Sequence, residues 1–179
     1  MINLIILNSI VAASSLLLIK YFLSFESLLD YLITFFILFL SQIILSLQLL
    51  GILNTLSLNN VFLLNFFILL IVYLIIRVRR IKSKINLFFK IKTAINNLKF
   101  NRTEIFCLSA ILGFGLVKIF INLVNPPFGW DDLNYHFTFP VEWLKHGNLE
   151  NPIVIMLDPS PTYYPINGSL FYLWFILPL

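Results

Sequence analysis

The chain has 179 residues, of which 60% are hydrophobic and 11% charged, and its formal net charge is +4. An average soluble domain carries about 25% charged residues, so the composition excludes a soluble globular domain and a disordered chain. Nine of the twelve basic residues lie between Arg77 and Arg102, in a stretch without any acid. A basic block beside apolar segments is typical of a cytoplasmic loop at anionic headgroups and argues against a nucleic-acid partner. The sequence therefore predicts an integral membrane protein embedded in a lipid bilayer.

Five apolar segments follow one another along the chain. A bilayer core about 30 Å thick needs roughly 20 apolar residues in a helix. The predicted spans are Ile2–Ile19, Tyr31–Leu53, Leu56–Ile76 and Ile105–Val124, followed by an incomplete one from Ser169 to Leu179. We expect an all-α polytopic transmembrane bundle with four full spans and a truncated fifth, belonging to a fragment or a truncated reading frame. Interhelical hydrogen bonds are expected from the polar residues within the spans: Ser41, Gln42, Gln48 and Asn65.

The basic block divides the chain into three regions. Residues 1–76 are N-terminal membrane helices, residues 77–103 a basic cytoplasmic loop, and residues 104–179 the start of a second membrane region. The basic loop interleaves lysines with apolar residues, which fits either an interfacial amphipathic helix or a plain positively charged linker. With this loop in the cytoplasm, the N-terminus, the connection 51–56 and the loop 125–167 lie outside. Five of the eight acids fall in that outer loop: Asp131, Asp132, Glu142, Glu150 and Asp158.

The outer loop contains a predicted amphipathic helix that lies along the membrane surface. Its apolar stripe is formed by Leu133, Phe137, Val141 and Leu144. Asp131 or Asp132 is expected at its N-terminus, where a carboxylate satisfies free N–H groups, and Gly147 at its C-terminus. Pro140 removes one backbone hydrogen bond and is expected to kink the helix.

Polar side chains cluster at the start of this helix. At helical spacing Asp131 shares a face with Tyr135, and Asp132 with His136. A carboxyl group near a low-dielectric boundary has a raised pKa, which suits a general base. Two alternatives stay open: an acid that only caps the helix beside a solvated neighbour, and an incomplete divalent-cation site at Asp131 and Asp132.

These residues carry a resemblance to a known family. Trp130-Asp131-Asp132-Leu133-Asn134-Tyr135-His136, with Trp143-Leu144 and Gly147-Asn148-Leu149 after it, resembles the W-D-x-L-x-Y-H…W-L…G-x-L pattern of polytopic GT-C type glycosyltransferases. The similarity is to the branch of the aminoarabinose transferases and protein O-mannosyltransferases. Tyr163-Tyr164-Pro165-Ile166-Asn167-Gly168 resembles the Y-P-x-x-G/N element that closes their first outer loop. The match covers residues 104–179.

The resemblance implies an enzyme of the bacterial cytoplasmic membrane that acts on its outer face. Such an enzyme transfers a sugar from a polyprenyl-phosphate donor to a hydroxyl group of a glycan, lipid or protein acceptor. By this resemblance Asp131 is the catalytic base, and Asp132 assists it or binds a divalent cation. Tyr135 and His136 orient the substrate or the acid.

Three further residues are candidates for substrate binding. Lys118 either extends its amine to the interface, or meets the polyprenyl phosphate or Asp131. Tyr163 and Tyr164 either belong to the interfacial aromatic belt or contact substrate. Two other functional hypotheses stay open, namely a transporter or flippase-like subunit for lipid-linked saccharides, and a remnant that is inactive alone.

Overall fold

The computed structural model describes residues 1–25, 27–83, 101–125, 136–150 and 166–179. In these ranges the chain is helical and contains no strand, which confirms the all-α class. The helices are α1 (Ile2–Phe22), α2 (Leu28–Ile52), α3 (Leu58–Val78), α4 (Arg102–Val124), α5 (Thr138–His146) and α6 (Asn167–Ile176). The first four are 21 to 25 residues long and apolar enough to cross a membrane. They correspond to the four predicted spans, and α6 corresponds to the start of the fifth.

Polar side chains set where three of the long helices begin. The Ser27 hydroxyl accepts the Asp30 N–H at the start of α2, and the Ser57 hydroxyl accepts the Asn60 N–H at the start of α3. At α4 the side chain of Asn101 accepts the Glu104 N–H, while the Glu104 carboxylate accepts the Asn101 N–H. These caps satisfy N–H groups that have no acceptor within the helix.

Helices α1, α2 and α3 form a bundle with a polar link in its interior. The Ser14 hydroxyl donates to Oε1 of Gln42 over 2.6 Å, and Nε2 of Gln42 donates to Oδ1 of Asn65 over 2.9 Å. Ser14 and Asn65 are fully buried. The hydrogen bonds predicted for Gln42 and Asn65 are confirmed, and Gln48 makes a longer one, 3.5 Å, to Asn167 of α6. Because a buried polar group needs a partner, this chain of bonds fixes the depth at which the three helices pack.

Helices α5 and α6 share one hydrophobic core with this bundle. The core contains Leu7, Val11, Ile43, Leu47, Leu50, Leu56, Val61, Phe139, Trp143, Leu170, Leu173, Trp174 and Leu177. The backbone N–H of Leu56 donates to the Gly147 carbonyl over 2.9 Å, so α5 ends beside the α2–α3 connection. Helix α3 is about 30 Å long at 1.5 Å per residue, so Arg77 lies at the opposite end of the bundle. The connection 51–56 and α5 thus share an end, as the predicted topology requires; which end faces the cytoplasm stays a prediction.

Two observations on α5 bear on the prediction. Pro140 is the third residue of the helix, where its missing N–H has no acceptor within the helix to lose. The expected kink concerns the junction with the residues before Thr138, most of which lie outside the described structure, and it stays a prediction. Val141 of the predicted apolar stripe is 42% exposed, whereas Phe139 and Trp143, which are not part of that stripe, are buried. The two aromatic rings fill the space between the bundle and α6 and therefore decide which face turns inward.

The end of α5 agrees with the prediction. Gly147 has a φ of 68°, a left-handed conformation that glycine adopts without strain, and its N–H donates to the Trp143 carbonyl over 2.8 Å. The predicted N-terminal caps Asp131 and Asp132 lie outside the described residues, as does the interleaved part of the basic loop, residues 84–100.

Candidate functional site

The acidic-aromatic segment enters the described structure at its last residue, His136. The predicted catalytic and metal-binding pair, Asp131 and Asp132, lies outside the described residues, and so does the predicted substrate-binding residue Tyr135. Tyr163 and Tyr164 lie outside them as well. The geometry of the candidate site is therefore built from the groups that surround His136.

His136 lies against the first turn of α6. Its Nδ1 is 3.2 Å from Oγ of Ser169, which is 2% exposed. The imidazole also lies beside Gly168, where a Cβ atom would be 3.4 Å from Cε1 of His136, an ordinary contact distance. The imidazole is thus held between the chain that enters α5 and the helix that follows the outer loop.

Aromatic rings enclose this contact. The ring of Tyr172, one turn after Ser169, is 6.0 Å from the imidazole and 4.7 Å from the ring of Phe137, to which it is nearly perpendicular. Edge-to-face pairs at such distances add about 0.5–1.5 kcal/mol beyond the area they bury. Tyr172 therefore connects α6 to two consecutive residues of the outer loop.

The rest of α5 anchors the outer loop to the bundle. Trp143 is 1% exposed, and its indole N–H donates to the Glu150 carbonyl over 3.1 Å, which ties the chain after α5 back onto the helix. Leu149 packs against Gly51 of α2 so closely that a methyl group there would overlap its side chain. His136 consequently contacts α6 on one side and is joined on the other to α5, which packs against α2 and the α2–α3 connection.

The charged residues of α5 form a separate surface. Lys145 donates a 2.6 Å hydrogen bond to the Glu142 carboxylate, and this bond holds the pKa of Glu142 below its ordinary value. Nδ1 of His146 is 2.9 Å from the Glu142 backbone carbonyl. These groups are on the outward side of the helix, away from the contact between His136 and Ser169.

Lys118 lies on α4, none of whose residues is buried within the described structure. Its amine is 5.6 Å from the ring centroid of Phe114 on the same helix. Its predicted contacts with a phosphate or with Asp131 stay predictions.

A metal site also stays a prediction. Among the described residues, no three His, Cys, Asp or Glu side chains come together as ligands. The acids expected to bind a divalent cation, Asp131 and Asp132, are not among those residues.

Ser169 and Tyr172 are site residues that the sequence alone did not single out. Both had been absorbed into an apolar span. The available signal was their spacing, because a serine and a tyrosine three residues apart in a helix lie on one face. Their position just after the Tyr163–Gly168 element strengthens that signal.

The described residues form an all-helical fold, and four of its helices are long and apolar enough to cross a membrane, which fits an integral membrane protein. In comparisons with protein-family models, curated proteins and solved structures, the chain matches none of them.

Proposed function

We propose that the chain is the N-terminal part of a membrane glycosyltransferase that uses a polyprenyl-phosphate-linked sugar and whose catalytic base is a carboxylate of the outer loop. The observation that carries the proposal is a contact between two distant parts of the sequence. His136 ends the acidic-aromatic motif, Gly168 ends the Tyr-Pro motif, and the imidazole of the first packs against the backbone of the second. The two motifs that carry the resemblance are separated in the sequence by residues 137–162, and the contact between their last residues supports one shared site.

The location of this contact suits a substrate that is half lipid and half sugar. The His136 ring packs against the first turn of α6, and α6 itself continues into the hydrophobic core through Leu170 and Leu173. Polar and titratable groups therefore adjoin the end of an apolar helix. A polyprenyl chain would remain among the spans, while its phosphate and sugar would reach the polar groups at their end.

The proposed reaction is a single displacement at the anomeric carbon. The Asp131 carboxylate takes the proton of the acceptor hydroxyl, and the acceptor oxygen forms a bond to the anomeric carbon. The bond from that carbon to the phosphate oxygen breaks at the same time, and polyprenyl phosphate leaves with the electron pair. One displacement inverts the anomeric configuration. Because phosphate is already a good leaving group, the principal tasks of the protein are positioning and charge stabilisation.

The test is Asp131→Asn in the full-length protein, with membranes as the source of acceptor and a polyprenyl-phosphate-linked, radiolabelled hexose as donor. A positioned general base contributes about 10²–10⁴-fold to a rate, and we expect a loss of that order. The matched control is Asp30→Asn, the same chemical change at an exposed position in the first turn of α2, at the far end of the bundle. Undiminished transfer by Asp131→Asn would exclude Asp131 as the base, and an equal loss in both variants would indicate a general defect in folding.

A further inference from the structure

We propose that Ser169 is a positioning residue that fixes the ring orientation of His136, so that Nε2 is the imidazole nitrogen that acts in the site. The part of this inference that concerns catalysis rests on the proposed function. The part that concerns the ring is a property of the described structure alone.

The burial of Ser169 is the first reason. A hydroxyl group taken out of water without a hydrogen-bond partner costs about 1–3 kcal/mol in proteins, so buried hydroxyls are paired. The hydroxyls of the buried serines Ser15 and Ser46 donate to carbonyls of their own helices. Ser169 instead reaches a side chain 33 residues earlier in the sequence, Nδ1 of His136. Its hydroxyl therefore joins two segments, whereas the hydroxyls of Ser15 and Ser46 bond within one helix.

The geometry of imidazole supplies the second reason. The two ring nitrogens of histidine lie on different sides of the imidazole. A hydroxyl group can donate to an unprotonated nitrogen or accept from a protonated one, so the hydrogen bond with Ser169 occupies Nδ1 in either tautomer. Because Nδ1 faces Ser169, any hydrogen bond of the ring to the loop or to a ligand through nitrogen is made by Nε2. Gly168 and Tyr172 lie beside the ring and oppose its rotation. These contacts together therefore turn Nε2 away from Ser169.

For the proposed reaction, the contact between Ser169 and His136 matters because it limits where the catalytic groups lie. Asp132 precedes His136 by four residues, so the anchor at Ser169 limits where the acidic end of the motif can lie. Loss of that anchor leaves the carboxylates chemically intact and alters only their placement and that of the imidazole. Small misplacements of catalytic groups lower turnover more than they lower binding, which is the signature expected of a positioning residue.

The test uses the fact that the chain has two histidines, His136 and His146. In full-chain protein labelled with ¹⁵N-histidine in detergent micelles, the Nδ1 resonance of His136 reports its hydrogen bond with Ser169, and His146 serves as an internal reference. In Ser169→Ala the Nδ1 resonance of His136 should shift while the resonances of His146 stay in place, and Ser169→Thr should restore the wild-type position. Ser46→Ala is the matched control, because Ser46 is also 2% exposed but bonds within its own helix.

Two results would overturn the inference. One is a set of His136 resonances in Ser169→Ala identical to the wild type, and the other is an equal change in Ser46→Ala. The donor-transfer assay separates this inference from the proposed function. If the proposed function and the positioning role of Ser169 are both correct, Ser169→Ala lowers kcat about tenfold with little change in KM, and Ser169→Thr recovers most of the lost kcat. If Asp131→Asn transfers sugar normally while the ring resonances change as expected, the proposed base is wrong and the positioning role of Ser169 stands. If the His136 resonances do not change in Ser169→Ala while Asp131→Asn is inactive, the positioning role of Ser169 is wrong and Asp131 as the base stands.

Discussion

Replacing Gly51 with alanine should detach the outer loop from the bundle. Gly51 is in the last turn of α2, and a Cβ atom there would overlap Cγ of Leu149 and lie 2.5 Å from Cδ1 and 3.1 Å from Cβ. The overlap includes the base of the Leu149 side chain, so rotating its terminal methyl groups does not relieve it. Overpacking of this kind costs about 1–3 kcal/mol, against a gain of up to about 1 kcal/mol from alanine in a helix. Because the new Cβ would overlap Cγ and come within 2.5 Å of Cδ1, the cost lies in the upper part of this range, about 2–3 kcal/mol, and the net expectation is a loss of about 1–2 kcal/mol in the docking of the loop.

The backbone N–H of Leu56 reports this loss, because it donates to the Gly147 carbonyl just before Leu149. Lowering the free energy of local opening by 1–2 kcal/mol raises the rate of amide exchange about 5–30-fold. Hydrogen–deuterium exchange of the peptide around Leu56, measured in micelles, detects such a change. The control is Gly113→Ala in α4, where a Cβ atom would meet nothing within 4 Å, and it should leave this exchange unchanged. Truncating Leu149 to alanine in the Gly51→Ala background removes the contacts with Cγ and Cδ1 and leaves only the 3.1 Å contact with Cβ, so it should recover most of the protection at Leu56. Unchanged or slower exchange at Leu56 in Gly51→Ala would refute the packing argument.

Two other predictions follow from the described contacts, and a third from the sequence. Gln42→Leu removes two interhelical hydrogen bonds and should lower the free energy of unfolding in mixed micelles by about 1 kcal/mol, at roughly 0.6 kcal/mol per bond. Gln48→Leu, whose hydrogen bond is 3.5 Å long, should lower it less. A larger loss in Gln48→Leu than in Gln42→Leu would contradict the assignment of Gln42 as the central link of the bundle. Lys145→Met should raise the pKa of Glu142 toward its ordinary value in a ¹³C NMR titration, because the hydrogen bond from the lysine lowers that pKa. The pair stabilises the fold at pH values above the ordinary carboxyl pKa, and this contribution is lost as the pH falls through the lowered pKa. An unchanged pKa of Glu142 in Lys145→Met would count against the hydrogen bond. Lys118→Met should reduce donor transfer while membrane insertion stays intact, and full activity would leave the lysine with an interfacial role only.

The spans could be predicted from the sequence because bilayer thickness and backbone hydrogen bonding leave little freedom. The predicted second span starts at Tyr31 and the observed helix at Leu28, since the cap at Ser27 rather than hydropathy decides the first turn. The inward face of α5 could not be predicted in this way. Spacing favoured the stripe through Val141, but the large rings of Phe139 and Trp143 fill the space against α6, and only tertiary packing reveals that space.

The candidate site was predictable only in part. His136 was identified from its motif, and the structure adds the groups that hold it. The role of Ser169 beside His136 could not be predicted, because one hydroxyl in an apolar segment does not alter hydropathy and its partner is 33 residues away. Contacts at such separation depend on how α5 and α6 pack, and local sequence patterns do not contain that information.

The most direct test of the central claim is to follow one donor molecule through a reaction. Full-length protein in liposomes receives a polyprenyl-phosphate-linked hexose, labelled in the sugar, together with membrane-derived acceptors on the side of the outer loop. The account predicts release of polyprenyl phosphate in a one-to-one ratio with sugar attached to acceptor, with inverted anomeric configuration. Donor that is bound and carried intact from one leaflet to the other, with no polyprenyl phosphate released, would contradict it and would identify a transporter.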